Sequence, residues 1–186
     1  MKTTLLRNLA LAAVLSVGLA AAKAPVNVSY TDPELASKVT HEIRMYSRYS
    51  IWDNINVRVN NGHVELLGQV NQPYKKADLQ RIVNGIPGVS TVTNALEVLP
   101  LSPMDDRLRL QVARAIYRDS VLSRYAIQAI PPIHIIVDNG HVTLEGVVST
   151  EMEKNVAGIR ASGAGLSFGQ VINNLRVENP SPKHHS

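Results

Sequence analysis

The histidines are the residues of this chain with the widest chemistry, since histidine can transfer protons near neutral pH and bind metals. The chain has six histidines and no cysteine. His63 and His141 each follow an Asn-Gly pair, and His134 falls opposite Glu145 in a predicted hairpin. A metal site needs three or more converging ligands, and the pattern brings no second histidine beside any of these. We therefore predict no metal and no cofactor, and interpret His134 and Glu145 as a cross-strand charge pair on a polar face.

Motifs of the common enzyme classes are missing from the sequence. No serine occupies a Gly-x-Ser-x-Gly elbow, and there is neither a phosphate-binding loop nor a dinucleotide fingerprint. The sequence therefore predicts a protein that is not an enzyme and has no catalytic residues.

Arginines on one predicted helix indicate binding rather than catalysis. Arg107, Arg114 and Arg118 fall within about 40° of one another at 100° per residue. Tyr117 and Leu110 lie to one side of this stripe. Arginines beside apolar groups suit anionic lipid headgroups, and each cation at a charged membrane surface contributes about 1 kcal/mol. The candidate lipid- or partner-contact residues are therefore Arg107, Arg114, Tyr117 and Arg118; the alternative is an ordinary solvated helix face.

The elements that must position these residues occur twice. A sixteen-residue pattern at 55–70 returns at 133–148, 78 positions later, with identical residues at nine positions. A repeat of this length indicates two copies of one small module.

Each copy of the pattern predicts a β-hairpin. Two alternating apolar runs are joined by Asn-Gly, and a type I′ turn requires positive φ at both of its central residues. The two-residue loop also determines which residues pair across the strands. The predicted structural turns are Asn61-Gly62 and Asn139-Gly140.

Two glycines fall inside the predicted strands. The register places Gly68 opposite Ile55 and Gly146 opposite Ile133. A missing side chain at such a position admits a bulky neighbour or marks a bulge.

Helical patterns flank each hairpin, and an alternating strand closes each unit. Asp32 before Pro33 and Ser102 before Pro103 predict the N-caps of the two leading helices. The order α-β-β-α-β predicts an α+β fold of two tandem modules, each a three-stranded sheet with two helices on one face. The predicted modules are residues 32–100 and 103–179, joined by a short linker.

The amino-terminal residues predict export. Lys2 and Arg7 precede an uncharged run from Leu9 to Ala22, which is short for a transmembrane helix and typical of a signal peptide at 1–22. A cysteine-free chain exported without an anchor is typical of the bacterial periplasm. Each module carries as many basic as acidic residues, so nucleic-acid binding is not indicated. We predict a disordered tail at 180–186.

These features together resemble the BON domain, named for bacterial osmotic-stress and nodulation proteins. The resemblance rests on the order of elements, on the Asn-Gly-His-Val pattern of both hairpins and on the turn at 85–89 before the third strand. It covers roughly residues 32 to 179 and implies a non-enzymatic periplasmic or outer-membrane-associated protein. Proteins similar to this one are implicated in binding phospholipid or in protecting the envelope during stress. The second copy departs from the pattern at 162–169 and carries extra residues at 123–132.

Two functions stay open at this point. In the first, the protein is a periplasmic envelope-stress protein that binds anionic phospholipid peripherally, without being integral to the membrane, through the arginine-bearing side of the second module. In the second, it is a soluble periplasmic chaperone or protein-interaction module, which holds exported client proteins against an exposed sheet or helix surface.

Overall fold

A computed structural model describes residues 30–164 and 171–178. The predicted signal peptide at 1–22 and tail at 180–186 lie outside the described residues, as do residues 165–170 of the glycine-rich segment. The described residues form the predicted α+β fold of two α-β-β-α-β units. No helix in these two ranges is both long enough and apolar enough to cross a membrane.

The first module is a three-stranded sheet with two helices. The middle strand of the sheet pairs antiparallel with the first strand and parallel with the third, because the second helix carries the chain back across the sheet. In chain order the elements are α1 (Asp32–Met45), β1 (Asn54–Asn60), β2 (His63–Val70), α2 (Pro73–Asn84) and β3 (Thr91–Val98).

The second module repeats this order with two differences. A short helix precedes the hairpin, within the extra residues of this copy, and the last strand is divided in two. Both parts of that strand pair in parallel with the middle strand. The elements are α3 (Pro103–Tyr117), α4 (Ser123–Ala126), β4 (Ile133–Asp138), β5 (His141–Val148), α5 (Glu151–Ser162), β6 (Ile172–Asn173) and β7 (Arg176–Val177).

Both predicted hairpin turns are confirmed. The φ angles are 50° at Asn61 and 76° at Gly62, and 49° at Asn139 and 83° at Gly140. The strand register is also the predicted one in both hairpins. The local turn chemistry therefore determines both the turn and the pairing.

Each module has its own core between its sheet and its helices. Apolar residues spaced by four place one stripe of each leading helix against the sheet. The buried residues of these stripes are Leu35, Val39 and Ile43 in α1 and Leu108, Val112 and Ile116 in α3.

Asp32 is not the N-cap of α1, so that prediction was wrong. Thr31 is the N-cap, and its backbone N–H and its hydroxyl both donate to the Glu34 carboxylate. The Asp32 carboxylate instead accepts hydrogen bonds from the N–H groups of Asn61 and Gly62, at 2.8 and 3.2 Å. Thr31 therefore caps the helix, and the Asp32 side chain bonds the distant hairpin turn instead.

Asp105 does the same for the second hairpin. The predicted N-cap, Ser102, is confirmed, since its hydroxyl accepts the Asp105 N–H. The buried Asp105 carboxylate accepts the N–H groups of Asn139 and Gly140 at 3.1 and 2.9 Å. In both modules a carboxylate on the leading helix thus holds the hairpin turn.

We expect Asp105→Ala to destabilise the second module by about 2–4 kcal/mol, because two turn N–H groups lose their acceptor in a buried place. Asp32→Ala removes the two equivalent hydrogen bonds from the more exposed turn of the first module, so it should lower the unfolding free energy by less. Urea unfolding of both variants measures the difference. Equal losses would contradict the idea that burial of the turn sets the cost.

Candidate functional site

Three arginines line a groove between α3 and α5. Arg114 lies in the last turn of α3, Arg118 is its C-cap and Arg160 lies in the last turn of α5. The groove has a volume of about 550 Å³, and Ile159 also lines it. We call this site, formed by Arg114, Arg118, Ile159 and Arg160, the arginine groove.

The charge of the arginine groove is positive. Arg160 donates from Nε to the Asp119 carboxylate at 2.7 Å, and an N–H from Val121 and this arginine hold the pKa of Asp119 below its usual value. Arg114 and Arg118 are exposed and form no ion pair with any residue in 30–164 or 171–178. Cations at helix C-termini also interact favourably with the negative end of the helix dipole. Two uncompensated arginines remain available to an anion such as a phosphate group.

The other predicted contact residues lie elsewhere. Arg107 is on the same exposed side of α3, but it does not line the groove, and its Nε donates to the Pro103 carbonyl at 3.3 Å. Tyr117 is half-buried and donates its hydroxyl to the Ile133 carbonyl at 2.5 Å, and burial raises the pKa of this phenol. The structure therefore brings Arg114 and Arg118 together and turns Tyr117 inward.

Arg160 is the residue that the sequence did not indicate. It lies 42 positions after Arg118 and on a different helix. Its position in the last turn of α5 was the only local signal, and many helices end in a cation for dipole reasons alone. Only the packing of α3 against α5 brings it into the arginine groove.

A buried ion pair joins the segment before β1 to α2. Lys75 Nζ lies 2.6 Å from the Asp53 carboxylate, and the two side chains are 4% and 0% exposed. The same carboxylate accepts the N–H groups of Ser50 and Asn71, each at 3.0 Å. Because every oxygen of this carboxylate has a protein donor, the pair supports the fold and offers no open site.

The second module uses different residues for the same connection. Ser149 and Glu153 follow Asn71 and Lys75 by 78 positions. The Tyr125 hydroxyl accepts the Ser149 N–H at 2.9 Å and donates to the Glu153 carboxylate at 3.0 Å. A tyrosine and a glutamate thus replace the aspartate and the lysine.

His134 and Glu145 oppose each other as predicted, but their side chains form no charge pair, so that part of the interpretation was wrong. The two residues are strand partners, but His134 donates from Nδ1 to the Asp53 carbonyl at 2.6 Å. Glu145 accepts from the Asn174 side chain at 2.8 Å. Burial lowers the pKa of His134. Across the described part of the chain, no three histidine, aspartate or glutamate side chains converge as metal ligands would.

The segment before β1 contacts the second module. The Ile51 carbonyl accepts the Ile135 N–H at 2.7 Å, and Ile51 and Trp52 pack against the core of the second module. The Tyr49 ring centroid is 5.6 Å from that of His134. The first module therefore contacts the β4 edge of the second sheet.

A cleft lies beside this contact, at the start of β1. One wall is the start of β1 at 54–56, and the opposite wall is the loop at 128–132. The cleft has a volume of about 460 Å³, and Arg44, Glu145 and Arg176 also line it. We call it the edge cleft.

Comparisons with known proteins place the two modules in one family. A sequence profile described as the BON domain matches residues 31–100 and 105–179. A comparison with curated proteins gave no match. Two solved structures of CdsD, a structural protein of the type III secretion system of Chlamydia trachomatis, one of them of its C-terminal domain, are similar at 15% identity with TM-scores of 0.31. The matches cover 80% and 77% of this chain, and 67% and 61% of those chains, and a likeness at this level carries no further conclusion.

Proposed function

The chain belongs to the BON domain family, and on this premise we propose that it is a non-enzymatic periplasmic envelope-stress protein that binds anionic phospholipid at a membrane surface. The BON domain is a non-catalytic, binding-type domain, linked to envelope and secretion-related proteins. The observation that carries the lipid proposal is the convergence of Arg114, Arg118 and Arg160 in one exposed groove.

The chemistry of the arginine groove suits a phosphate headgroup. Guanidinium groups donate paired hydrogen bonds to phosphate oxygens, and such charge-assisted bonds are stronger than neutral ones. Arg114 and Arg118 have no competing carboxylate partner among the described residues. A phosphate would therefore meet donors that are already free of protein partners.

Exposed apolar side chains lie on the same two helices as these cations. Ile159 lines the groove and is 69% exposed, and Met152, two turns earlier on α5, is 61% exposed. Leu110 on α3 is 48% exposed. Apolar groups next to arginines favour peripheral docking, because the apolar groups enter the headgroup boundary while the cations meet the phosphates. Periplasmic location and a role in envelope stress rest on the residue pattern at 1–22 and on the family.

The test is flotation of the protein from residue 23 with vesicles. We expect binding to phosphatidylglycerol vesicles, weakened at physiological salt, and no binding to phosphatidylcholine vesicles. Arg114→Glu plus Arg118→Glu changes the surface charge by four units, or about 4 kcal/mol at about 1 kcal/mol per charge. This double variant should therefore lose at least about 100-fold in affinity.

A matched control changes two exposed arginines of the first module. Arg48→Glu plus Arg81→Glu alters the net charge by the same amount away from the arginine groove. This variant should still bind. If both double variants bind equally, the site is wrong; if the unchanged protein does not float with anionic vesicles, the lipid function is wrong.

A further inference from the structure

The four edges of the two sheets differ in whether their outward backbone groups have hydrogen-bond partners. Outward groups are the N–H and C=O groups that point away from the neighbouring strand, in the plane of the sheet. An edge strand with free N–H and C=O groups is a template for pairing with another strand, and proteins normally cover or block such edges. The edges here are β1 and β3 in the first sheet, and β4 and the β6–β7 strand in the second.

Two of these edges are blocked by an asparagine. Asn94 in β3 accepts the outward Leu96 N–H at 3.3 Å and donates to the Lys76 carbonyl at 2.7 Å. Asn173 does the same in the second module, accepting the Leu175 N–H at 3.3 Å. A side chain thus occupies the place that an added strand would take.

At the third edge, β4, the Ile51 carbonyl of the first module accepts the outward Ile135 N–H, and Arg109 and Tyr117 of α3 donate to the outward carbonyls of Val137 and Ile133. The apolar side chains of β4 that face the core are completely buried. Ile133, Ile135 and Val137 are each 0% exposed. The repeat-equivalent residues of β1, which are Ile55, Val57 and Val59, are only partly buried. The difference indicates that, among the residues the structure describes, β1 has less cover than β4.

The outward N–H groups of β1 are those of Ile55, Val57 and Val59. Asn60 and His63 close the two-residue hairpin and are hydrogen-bonded to each other, and inward and outward groups alternate along the strand. None of the three outward N–H groups has a hydrogen-bond partner within 30–164 or 171–178. The strand also carries no proline or lysine that would block pairing.

The edge cleft limits what can reach β1. The loop at 128–132 and the start of β1 at 54–56 line the same cleft, so a partner that reaches this end of the edge must enter the cleft. An extended chain that pairs with β1 would lie about 4.8 Å from it, the ordinary spacing of paired strands. Two arginines, Arg44 and Arg176, and one carboxylate, Glu145, line the cleft. The net charge of these three side chains is positive, which favours a strand without positive residues.

We propose that the β1 edge and the edge cleft bind one extended polypeptide segment, with alternating apolar residues and no positive charge, as a fourth strand of the first sheet. The chain supplies a precedent for this binding, because the Ile51 carbonyl already satisfies the equivalent N–H of β4. Main-chain hydrogen bonds would supply the affinity. The partly buried apolar face of β1 would supply the preference for apolar side chains. The inference goes beyond lipid binding and does not rest on it.

The probe is a fluorescein-labelled nine-residue peptide in which valine alternates with threonine and glutamate. Anisotropy measures its binding to the protein from residue 23, and amide hydrogen exchange measures which N–H groups it protects. We expect new protection at Ile55, Val57 and Val59 and unchanged exchange at Asn56 and Arg58. A peptide of the same sequence with N-methyl groups along both edges should bind at least tenfold more weakly, because its side chains are kept and its donors are lost.

Val57→Pro tests the same contact from the protein side. It removes one outward N–H, which an edge strand tolerates, and should weaken peptide binding at least tenfold. Val57→Ala keeps the N–H and should bind more tightly than Val57→Pro. If Val57→Pro does not fold, the methylated peptide and the exchange pattern test whether the peptide pairs with β1.

Three results would overturn the proposal. Equal binding of the methylated peptide would exclude strand pairing, and protection only outside β1 would exclude this edge. A dimer of the protein alone that protects the same three N–H groups, found by sedimentation, would assign the edge to a second copy instead.

Discussion

Lys75→Met should destabilise the first module by about 3–5 kcal/mol, the range for removing one partner of a buried ion pair. Lys75 and Asp53 lie 2.6 Å apart with almost no exposure. Methionine has a similar length and no charge, so the Asp53 carboxylate would keep its N–H donors and lose its cation. Urea unfolding followed by circular dichroism measures the loss in unfolding free energy, because Trp52, the only tryptophan of the chain, packs against the second module and reports on that contact.

The control for this variant is Arg58→Met. Arg58 pairs with Glu65 at 2.6 Å, but the arginine side chain is 70% exposed, and such pairs contribute about 0–1 kcal/mol. Adding Asp53→Asn to Lys75→Met should recover part of the loss, because the unpaired charge is removed. A loss below about 1 kcal/mol for Lys75→Met would mean that water reaches the pair in solution.

The Lys75 variant should also loosen the contact between the modules. Asp53 holds the segment that carries Ile51 and Trp52, and its carbonyl accepts the His134 N–H. Trp52 packs against the core of the second module, so its emission should shift to longer wavelength at urea concentrations where the second module is still folded. This early shift separates loss of the contact from global unfolding.

Gly146→Ala should prevent the second hairpin from closing and cost more than about 3 kcal/mol. Gly146 has a φ of 118°, and an added Cβ would lie 1.9 Å from the Pro132 carbonyl oxygen. Backbone strain of about 1–3 kcal/mol in such a conformation is added to this clash, and the atom concerned is main chain and cannot rotate away. Thermal unfolding followed by circular dichroism measures the effect.

Gly163→Ala is the matched control in the same module. Gly163 has a φ of −83°, and its nearest neighbour would be the Ile159 carbonyl oxygen at 3.4 Å, which is ordinary contact. This variant should be neutral within about 0.5 kcal/mol. If Gly146→Ala proved equally mild, the close approach of Pro132 would have to relax in solution.

The positions of the two strand glycines were predicted from the sequence, but the reason that glycine is required there was not. The register predicted that Gly68 and Gly146 oppose Ile55 and Ile133, and the pairing is confirmed. The neighbour that requires glycine was not predicted, because it is a main-chain oxygen: that of Asn54 at 2.1 Å from an added Cβ, and that of Pro132 in the second module. Side-chain patterns give no sign of a backbone approach.

Asp32 shows that a local sequence pattern does not determine which group a side chain bonds in the folded protein. Asp32 before Pro33 is a sound N-cap pattern, yet its carboxylate binds a turn 29 residues away. A hydrogen bond to two N–H groups of the hairpin competes with the cap, and only the docking of α1 beside the turn brings those groups within reach. His134 and Glu145 were misread for the same reason, because each has a partner from outside its own hairpin.

The sequence by itself determined the two modules, the order of their elements, both turns and the strand register. These depend on residue period, on positive φ at Asn-Gly and on the pairing that a two-residue loop imposes, and all three act over a few residues. The tertiary structure decided that Arg160 joins Arg114 and Arg118, that Tyr117 turns inward and that no segment within 30–164 or 171–178 pairs with the outer edge of β1. These features depend on how elements far apart in the chain pack together, and a pattern along one chain does not contain the angles and distances of that packing.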